Sequence, residues 1–222
     1  MARFARVVVP RLPHHIVQRG NRRQQTFFCE ADYVVYIELM AEWCARYKVD
    51  VWAYCLMPTH VHLIAAPRTA EGLCRAVGEA HRRYTRHINS REGEMGCLWQ
   101  GRFASYVVDD EYLRSAACYV ALNPVRAGLV ARPEDWPWSS ARAHLTGSGD
   151  PLVKPSILLK HVANFKESLA LPDLPEALEI LRSHERTGRP LGSKEFVQKI
   201  GKRLGRCLLP KKPGPKSKKD EE

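Results

Sequence analysis

The sequence lacks a long hydrophobic run. Its 222 residues contain no uninterrupted apolar stretch of about 18 residues, the length that can cross a bilayer. The opening segment MARFARVVVPR also has too short an apolar core for a secretory signal peptide. We therefore expect a cytoplasmic protein with no membrane partner.

Paired cysteines at metal-binding spacing are also lacking. The seven cysteines are scattered without a C-x-x-C pair, and an odd number cannot all form internal disulfides. This pattern favours a reducing compartment. We interpret the cysteines as small buried hydrophobic residues and assign none of them a function.

Negative charge is scarce. Lysine and arginine number 35 against 24 acidic residues, which gives a formal net charge of +11. Such an excess predicts a polyanionic partner, either nucleic acid or an acidic membrane surface. Charge alone does not choose between them.

The length allows one domain of ordinary size and a smaller appendage. Hydrophobic residues make up 45% of the chain, enough to form a core, and no internal repeat is present. Turn-forming residues at 147–151 (GSGDP) mark a change in composition. We predict a main domain at 1–147, a helical C-terminal extension at 148–208 and a disordered basic tail at 209–222.

Hydrophobic periodicity predicts a regular order of elements in the main domain. Period-two patterns indicate strands, and period-3.6 patterns indicate helices. The predicted order is strand 12–19, helix 31–47, strands 49–56 and 61–66, helix 73–89, strand 103–108 and a helix from Asp109 or Asp110 to 122. A basic turn at 19–23 follows the first strand, where Gly20 and Asn21 tolerate positive φ. This order favours an α+β fold with helices on one face of a mainly antiparallel sheet.

Two histidines, His60 and His62, flank Val61 at the start of a predicted strand. Because side chains alternate along a strand, both imidazoles project from the same face. Paired imidazoles suit Mn²⁺, Zn²⁺ and similar ions, and Mg²⁺ when oxygen ligands complete the shell. The alternative is a pair of half-buried histidines without a metal.

The last predicted helix of the main domain carries a phenol and a carboxamide one turn apart. Tyr119 and Asn123 lie beside the apolar stripe of this helix, in an i, i+4 relation. The Asn123 carbonyl oxygen is suited to a metal, and tyrosine is a competent nucleophile for phosphoryl transfer. Alternatively, Tyr119 packs its ring on the core and Asn123 ends the helix before Pro124.

The combination of motifs between residues 12 and 147 resembles a known family, the single-tyrosine HUH transposases of the IS200-like group. Within that family it is most similar to the REP-associated tyrosine transposases. The matching pieces are VQRGNR (17–22), MPTHVHL (57–63), YTR (84–86), LWQGRF (98–103), YVALNPVRAGLV (119–130) and WPWSS (136–140).

The resemblance implies a ferredoxin-like antiparallel sheet backed by helices, the palm of HUH endonucleases. It implies that His60, His62 and Asn123 bind Mg²⁺ or Mn²⁺, although glutamine takes the third place in some relatives. Tyr119 then attacks single-stranded DNA and forms a 5′-phosphotyrosine intermediate from which the strand can be rejoined. The expected substrate is hairpin-bearing, REP-like single-stranded DNA, bound by a monomer or a homodimer.

Basic and polar residues outside this centre are candidates for DNA binding. Arginines can neutralise phosphates, and aromatic rings can stack on bases. For Trp99, Phe103 and Tyr84 we favour packing in the core over stacking on DNA. The DNA-binding candidates are Arg19, Asn21, Arg22, Arg23, Arg82, Arg86, Gln100 and Arg102.

Two other functions fit the same residues. One is a non-catalytic DNA-binding module or repressor with this fold. The other is a metal-dependent hydrolase that uses a metal-bound water, in which Tyr119 is only structural.

Overall fold

The computed structural model describes residues 5–171 and 175–209. All the elements predicted in the main domain are present, in the predicted order. They are β1 (His14–Arg19), α1 (Glu30–Arg46), β2 (Val49–Met57), β3 (His60–Pro67), α2 (Gly72–Glu92), β4 (Ala104–Val107) and α3 (Asp110–Ala121). Further along are α4 (Asn123–Arg126), α5 (Ala141–Thr146), α6 (Pro155–His161), α7 (Phe165–Ala170), α8 (Pro175–Thr187) and α9 (Lys194–Leu204).

The four strands form one sheet in the order β2-β3-β1-β4, and every pairing is antiparallel. This order, with α1 between β1 and β2 and α2 between β3 and β4, is the ferredoxin-like arrangement. The predicted α+β fold with an antiparallel sheet is therefore confirmed. It also places β1 and β3 side by side at the centre of the sheet.

Alternation along the strands gives the sheet two different faces. Leu56, Val61 and Leu63 point into the core formed with α1 and α2, which is the predicted helical layer. Cys55 and Ile64 point to the opposite face, into a second core with α3 and the C-terminal helices. The structure therefore adds a helical layer on the second face, because that face is also apolar and has to be buried.

Both edges of the sheet are covered. At the β2 edge, the Trp136 indole donates to the Leu56 carbonyl (3.0 Å) and the Ser140 amide donates to the Tyr54 carbonyl (3.1 Å). At the β4 edge, the Leu191 amide donates to the Val107 carbonyl (2.8 Å). These contacts protect strand edges that could otherwise pair with other chains.

The basic turn after β1 differs from the prediction in its backbone angles. Positive φ falls on Arg22 (52°) and Arg23 (62°), whereas Gly20 has φ of −57°. Glycine is needed at position 20 for a different reason, because a Cβ there would lie 2.2 Å from the Gln24 carbonyl oxygen.

The C-terminal helices pack on the main domain. Leu158, Phe165 and Leu181 are buried in the same core as α3, and Val197 and Ile200 form a smaller core with the N-terminal segment. The predicted boundary near residue 147 stays a prediction. Of the predicted tail, residues 210–222 lie outside the described residues.

The cysteines are all free. Cys44, Cys55 and Cys118 are buried, as predicted. For the remaining four the prediction of burial was wrong, because they lie on exposed turns and helix surfaces: Cys29, Cys74, Cys97 and Cys207.

Within residues 5–171 and 175–209, no helix combines the length and the hydrophobicity needed to span a membrane.

Candidate active site

The first part of the site is the imidazole pair on β3. His60 lies opposite Met57 and His62 lies opposite Cys55 in the antiparallel pairing with β2. Both rings are therefore on the sheet face that α3 covers, and their centroids are 5.0 Å apart. Val61 points into the other core, as strand alternation requires.

Each ring has one nitrogen engaged and one left over. The Nδ1 of His60 lies 3.0 Å from the Thr59 hydroxyl, and the Nδ1 of His62 lies 3.0 Å from the Nε2 of His15. His15 is itself held by the Tyr106 hydroxyl, 2.7 Å from its Nδ1. Among the described residues, no hydrogen bond uses the Nε2 of His60 or His62. The pair therefore fits a divalent cation, with Nε2 as the donor atom of each ring.

Burial keeps these histidines neutral. It lowers the pKa of His60 to about 4, with help from Arg19, and the pKa of His15 to about 3. The pKa of His62 is also far below its usual value, chiefly because of burial and then the nearby positive groups, His15 first among them. Neutral imidazole is the form that binds a metal. The site therefore needs no deprotonation of histidine at neutral pH.

The phenol of Tyr119 reaches the imidazole pair from α3. The apolar stripe of this helix, including Leu113 and Val120, is buried and fixes the rotation of the helix over the sheet. As a result the Tyr119 ring centroid lies 5.5 Å from that of His62 and 5.9 Å from that of His15. The geometry thus brings the predicted nucleophile and one predicted ligand together.

Charged groups surround the Tyr119 hydroxyl. Its pKa is raised, mainly by burial and then by the negative charge of Glu185. A hydrogen bond with Arg182 and the positive charge of Arg126 act in the opposite direction. Arg126 also places its guanidinium 4.6 Å from the centre of the phenol ring. The arginines favour the phenolate that an attack on phosphorus requires.

Asn123 lies at the junction of α3 and α4, and its side chain is half-buried. Its amide nitrogen donates to the carbonyl oxygen of Tyr119 (2.9 Å), a contact at the end of the helix. This contact agrees with the alternative in which Asn123 ends the helix before Pro124. Its role as a third metal ligand stays a prediction.

Several site residues were missed by sequence reasoning. His15 belongs to β1, and its position next to His62 follows only from the β1–β3 pairing. Glu185 and Arg182 lie on α8, far from Tyr119 along the chain. Two adjacent histidines in β1 were a visible signal for His15, whereas no local pattern marks Glu185.

A family model described as "Transposase IS200 like" matches residues 8–123, just over half of the chain. This chain belongs to the IS200-like transposase family. The matched region runs from before β1 to Asn123 and includes His60, His62 and Tyr119.

Two known proteins are similar to this chain, one in sequence and one in fold. A protein named as a REP-associated tyrosine transposase from Haemophilus influenzae is 28% identical over 108 residues. The match covers 44% of this chain, and the chain spans 61% of the length of that relative. A solved structure of a REP-associated tyrosine transposase bound to a REP hairpin has a TM-score of 0.54 and 20% identity, covering 68% of this chain and 90% of that one. The second likeness shows the HUH fold.

The candidate DNA-binding residues lie in two groups. Arg19 pairs with His60 across β1 and β3, and its carbonyl oxygen accepts the Gln100 amide (2.8 Å), so this group adjoins the imidazole pair. In the second group, Arg82 and Arg102 border one groove between α2 and the segment before β4. The other candidates are a half-buried Asn21 and exposed Arg22, Arg23 and Arg86.

The aromatic side chains considered for base stacking are buried. Trp99 and Phe103 are each less than a tenth exposed, and Tyr84 is fully buried with its hydroxyl donating to the Thr26 carbonyl (2.7 Å). Trp99 stacks on His81 at 4.7 Å between ring centres. These contacts agree with the interpretation that the three rings belong to the core.

Proposed function

We propose that this chain cleaves and rejoins hairpin-bearing, REP-like single-stranded DNA through a covalent bond to Tyr119. A divalent metal, Mg²⁺ or Mn²⁺, would be held by His60, His62 and Asn123. The observation that carries the proposal is the approach of the Tyr119 ring to His62, 5.5 Å between centroids, from separate elements of the fold.

Each group in the site would have a different role in the reaction. A free tyrosine has a pKa of about 10, and burial raises that of Tyr119 further, so the phenol needs activation. A bound divalent cation supplies charge neutralisation at the scissile phosphate and fixes its orientation. Arg126 and Arg182 lower the cost of forming the phenolate. His15 holds the ring of His62 in place.

The reaction exchanges one phosphoester for another. The Tyr119 oxygen forms a bond to phosphorus, the bond from phosphorus to the 3′ oxygen of the upstream fragment breaks, and the proton lost by the phenol is balanced by the one that the 3′ oxygen gains. The products are a 5′-phosphotyrosine and a free 3′-hydroxyl. A 3′-hydroxyl can attack the phosphotyrosine in return, so the strand can be rejoined without ATP.

DNA binding is assigned to the basic residues around the site. Arg19 and the neighbouring turn would contact phosphates close to the metal, and Arg82, Arg86 and Arg102 would contact phosphates further along the strand. Asn21 and Gln100, next to the turn, offer hydrogen bonds in addition to charge. The hairpin in the solved relative supports a hairpin substrate for this chain.

The proposal predicts a covalent protein–DNA adduct. Labelled hairpin-bearing single-stranded DNA is incubated with the protein and Mn²⁺ or Mg²⁺, and the products are separated on a denaturing gel. Wild type should give a slowly migrating adduct and a shortened strand. Tyr119→Phe should bind DNA without forming an adduct, and His60→Ala should lose cleavage. An adduct formed by Tyr119→Phe would refute the assignment of the nucleophile.

The same gel separates the alternatives. A hydrolase that uses a metal-bound water would give cut DNA without an adduct. A repressor would give uncut DNA on the denaturing gel and a shifted band on a native gel. Tyr112→Phe, a change on the same helix away from His62, is the matched control and should form the adduct.

A further inference from the structure

Helix α8 of the C-terminal extension brings a carboxylate to the imidazole pair. Glu185 lies one turn after Arg182 on this helix, and its side chain is only 15% exposed. One ligand atom from each of His15, His62 and Glu185 lies within 4.8 Å of the other two. Helix α8 packs against β4 and α3, the elements that carry Tyr106 and Tyr119.

One oxygen of this carboxylate has no hydrogen-bond partner. The Oε1 of Glu185 is inaccessible to solvent, and none of the described residues donates a hydrogen bond to it. It faces the Nδ1 of His15 at 4.0 Å, but that nitrogen is engaged by the Tyr106 hydroxyl. A buried carboxylate oxygen without a donor costs free energy, and a cation is one of the partners that can satisfy it.

The groups that face Glu185 come from three elements. Arg19 on β1 and Arg182 and Arg186 on α8 are its positively charged neighbours, and Tyr119 on α3 hydrogen-bonds with its carboxylate. None of the described residues among them donates a hydrogen bond to Oε1.

We propose that Glu185 is an oxygen ligand of the divalent metal that binds at His62. The proposal rests on the proposed function, because it concerns the same metal. It adds a residue from the C-terminal extension to a centre that otherwise consists of residues from the matched family region, 8–123.

Distance and chemistry both support this ligand. One ring nitrogen of His62 and one carboxylate oxygen of Glu185 lie within 4.8 Å of each other, and two ligands on opposite sides of one ion, with bonds of about 2.1 Å, are separated by about 4.2 Å. Mg²⁺ and Mn²⁺ prefer oxygen ligands, which two imidazoles do not supply. His15, with both ring nitrogens engaged, would orient His62 and leave the carboxylate to contact the ion.

The test is Mn²⁺ binding to the full chain without DNA. Free Mn²⁺ is measured by its EPR signal during a titration of wild type, Glu185→Gln and Glu179→Gln. Glu185→Gln should weaken Mn²⁺ binding by about 10-fold or more, the size of effect seen when a metal site loses a supporting group. Glu179 lies on the same helix, is 61% exposed and pairs with Arg186, so Glu179→Gln should bind Mn²⁺ as wild type does.

Thermal unfolding gives a second readout. Mn²⁺ should raise the Tm of wild type and of Glu179→Gln by a similar amount, and should raise that of Glu185→Gln by less. Without metal, Glu185→Gln should be folded, because it replaces a buried charge with a neutral group of the same shape. If it does not fold, Glu185→Ala, which removes both oxygens, should show the same loss of Mn²⁺ binding.

A third variant separates this proposal from the proposed function. His62→Ala should lose Mn²⁺ binding under either view. Unchanged binding by Glu185→Gln together with loss by His62→Ala would refute Glu185 as a ligand and leave the proposed metal centre standing. Unchanged binding by both variants would refute the metal centre itself.

Discussion

At the scale of single residues, His15 connects three parts of the site. Its ring accepts or donates hydrogen bonds at both nitrogens, to the Tyr106 hydroxyl (2.7 Å) and to the Nδ1 of His62 (3.0 Å). It also contacts the Tyr119 ring edge-on, at 5.9 Å between centroids. We therefore assign His15 the task of orienting His62 rather than of binding the metal.

Replacing this ring tests that task. His15→Phe keeps an aromatic ring of similar size but leaves the Tyr106 hydroxyl and the Nδ1 of His62 unpaired. We expect a loss of unfolding free energy of about 1–3 kcal/mol for each unpaired group. We also expect Mn²⁺ binding that is weaker by about 10–100-fold. Urea unfolding and the EPR titration measure the two effects.

His87→Gln is the matched control, because His87 is exposed on α2. It should change neither the stability nor the Mn²⁺ affinity. Mn²⁺ binding by His15→Phe at the wild-type level would mean that His15 does not position the ligand.

The residues of the site differ in how far sequence could predict them. Strand alternation puts His60 and His62 on one face, and Tyr119 borders the apolar stripe of α3, which made the three residues candidates. Their roles as ligands and nucleophile were predicted only from the resemblance of the motifs between residues 12 and 147. Glu185 was not a candidate, since its approach depends on how α8 docks onto the sheet, and no periodicity encodes that contact.

At the scale of elements, α3 carries the proposed nucleophile, and the start of this helix is fixed by Asp109. One carboxylate oxygen of Asp109 accepts the Tyr112 amide (3.0 Å) and caps the helix, as predicted from the sequence. The other accepts the Ser193 amide (2.9 Å) and ties the extension to the same point. Asp109 thus couples α3 to the segment between α8 and α9.

Asp109→Ala should destabilise both elements. Loss of the cap and of the bond to Ser193 should lower the free energy of unfolding by about 1–3 kcal/mol in total. The matched control is Asp110→Ala, whose side chain is 85% exposed, and it should change stability by less than about 0.5 kcal/mol. Urea unfolding measures both. Equal stabilities of the two variants would contradict the coupling.

Strands and helices were predicted correctly where a single hydrophobic periodicity extends over the whole segment. The strands and helices of the main domain match because their apolar spacing is either two or close to 3.6. The second helical layer was not predicted, since it depends on the apolar character of the other sheet face as a whole. The backbone of the basic turn also differed, because Gly20 is required by the close approach of Gln24 and not by its own φ.

At the scale of the whole molecule, the formal net charge is +11, and part of the positive charge is clustered on α2 and just before β4. Arg82 and Arg102 border one groove, and Arg82 and Arg86 border a second depression on α2. Binding of DNA by such a surface depends on salt.

The salt dependence of the DNA-binding constant reports the number of phosphate contacts. A plot of log K against log salt concentration should lose about 0.7 of slope for each contact removed from a single strand, here by Arg86→Ala or Arg102→Ala. Lys166→Ala, on the exposed side of α7, is the control and should keep the wild-type slope. Fluorescence anisotropy at several salt concentrations measures the slopes. Unchanged slopes in the arginine variants would place the DNA elsewhere.

The most direct test of the account is to find which tyrosine carries the DNA. The adduct formed by wild type is digested with nuclease and trypsin and analysed by mass spectrometry. Trypsin separates residues 115–126, which contain Tyr119 as their only tyrosine, from residues 103–114, which contain Tyr106 and Tyr112. We predict a nucleotide phosphate on the peptide 115–126; the same mass on the peptide 103–114, or cleaved DNA with no modified peptide, would contradict the account.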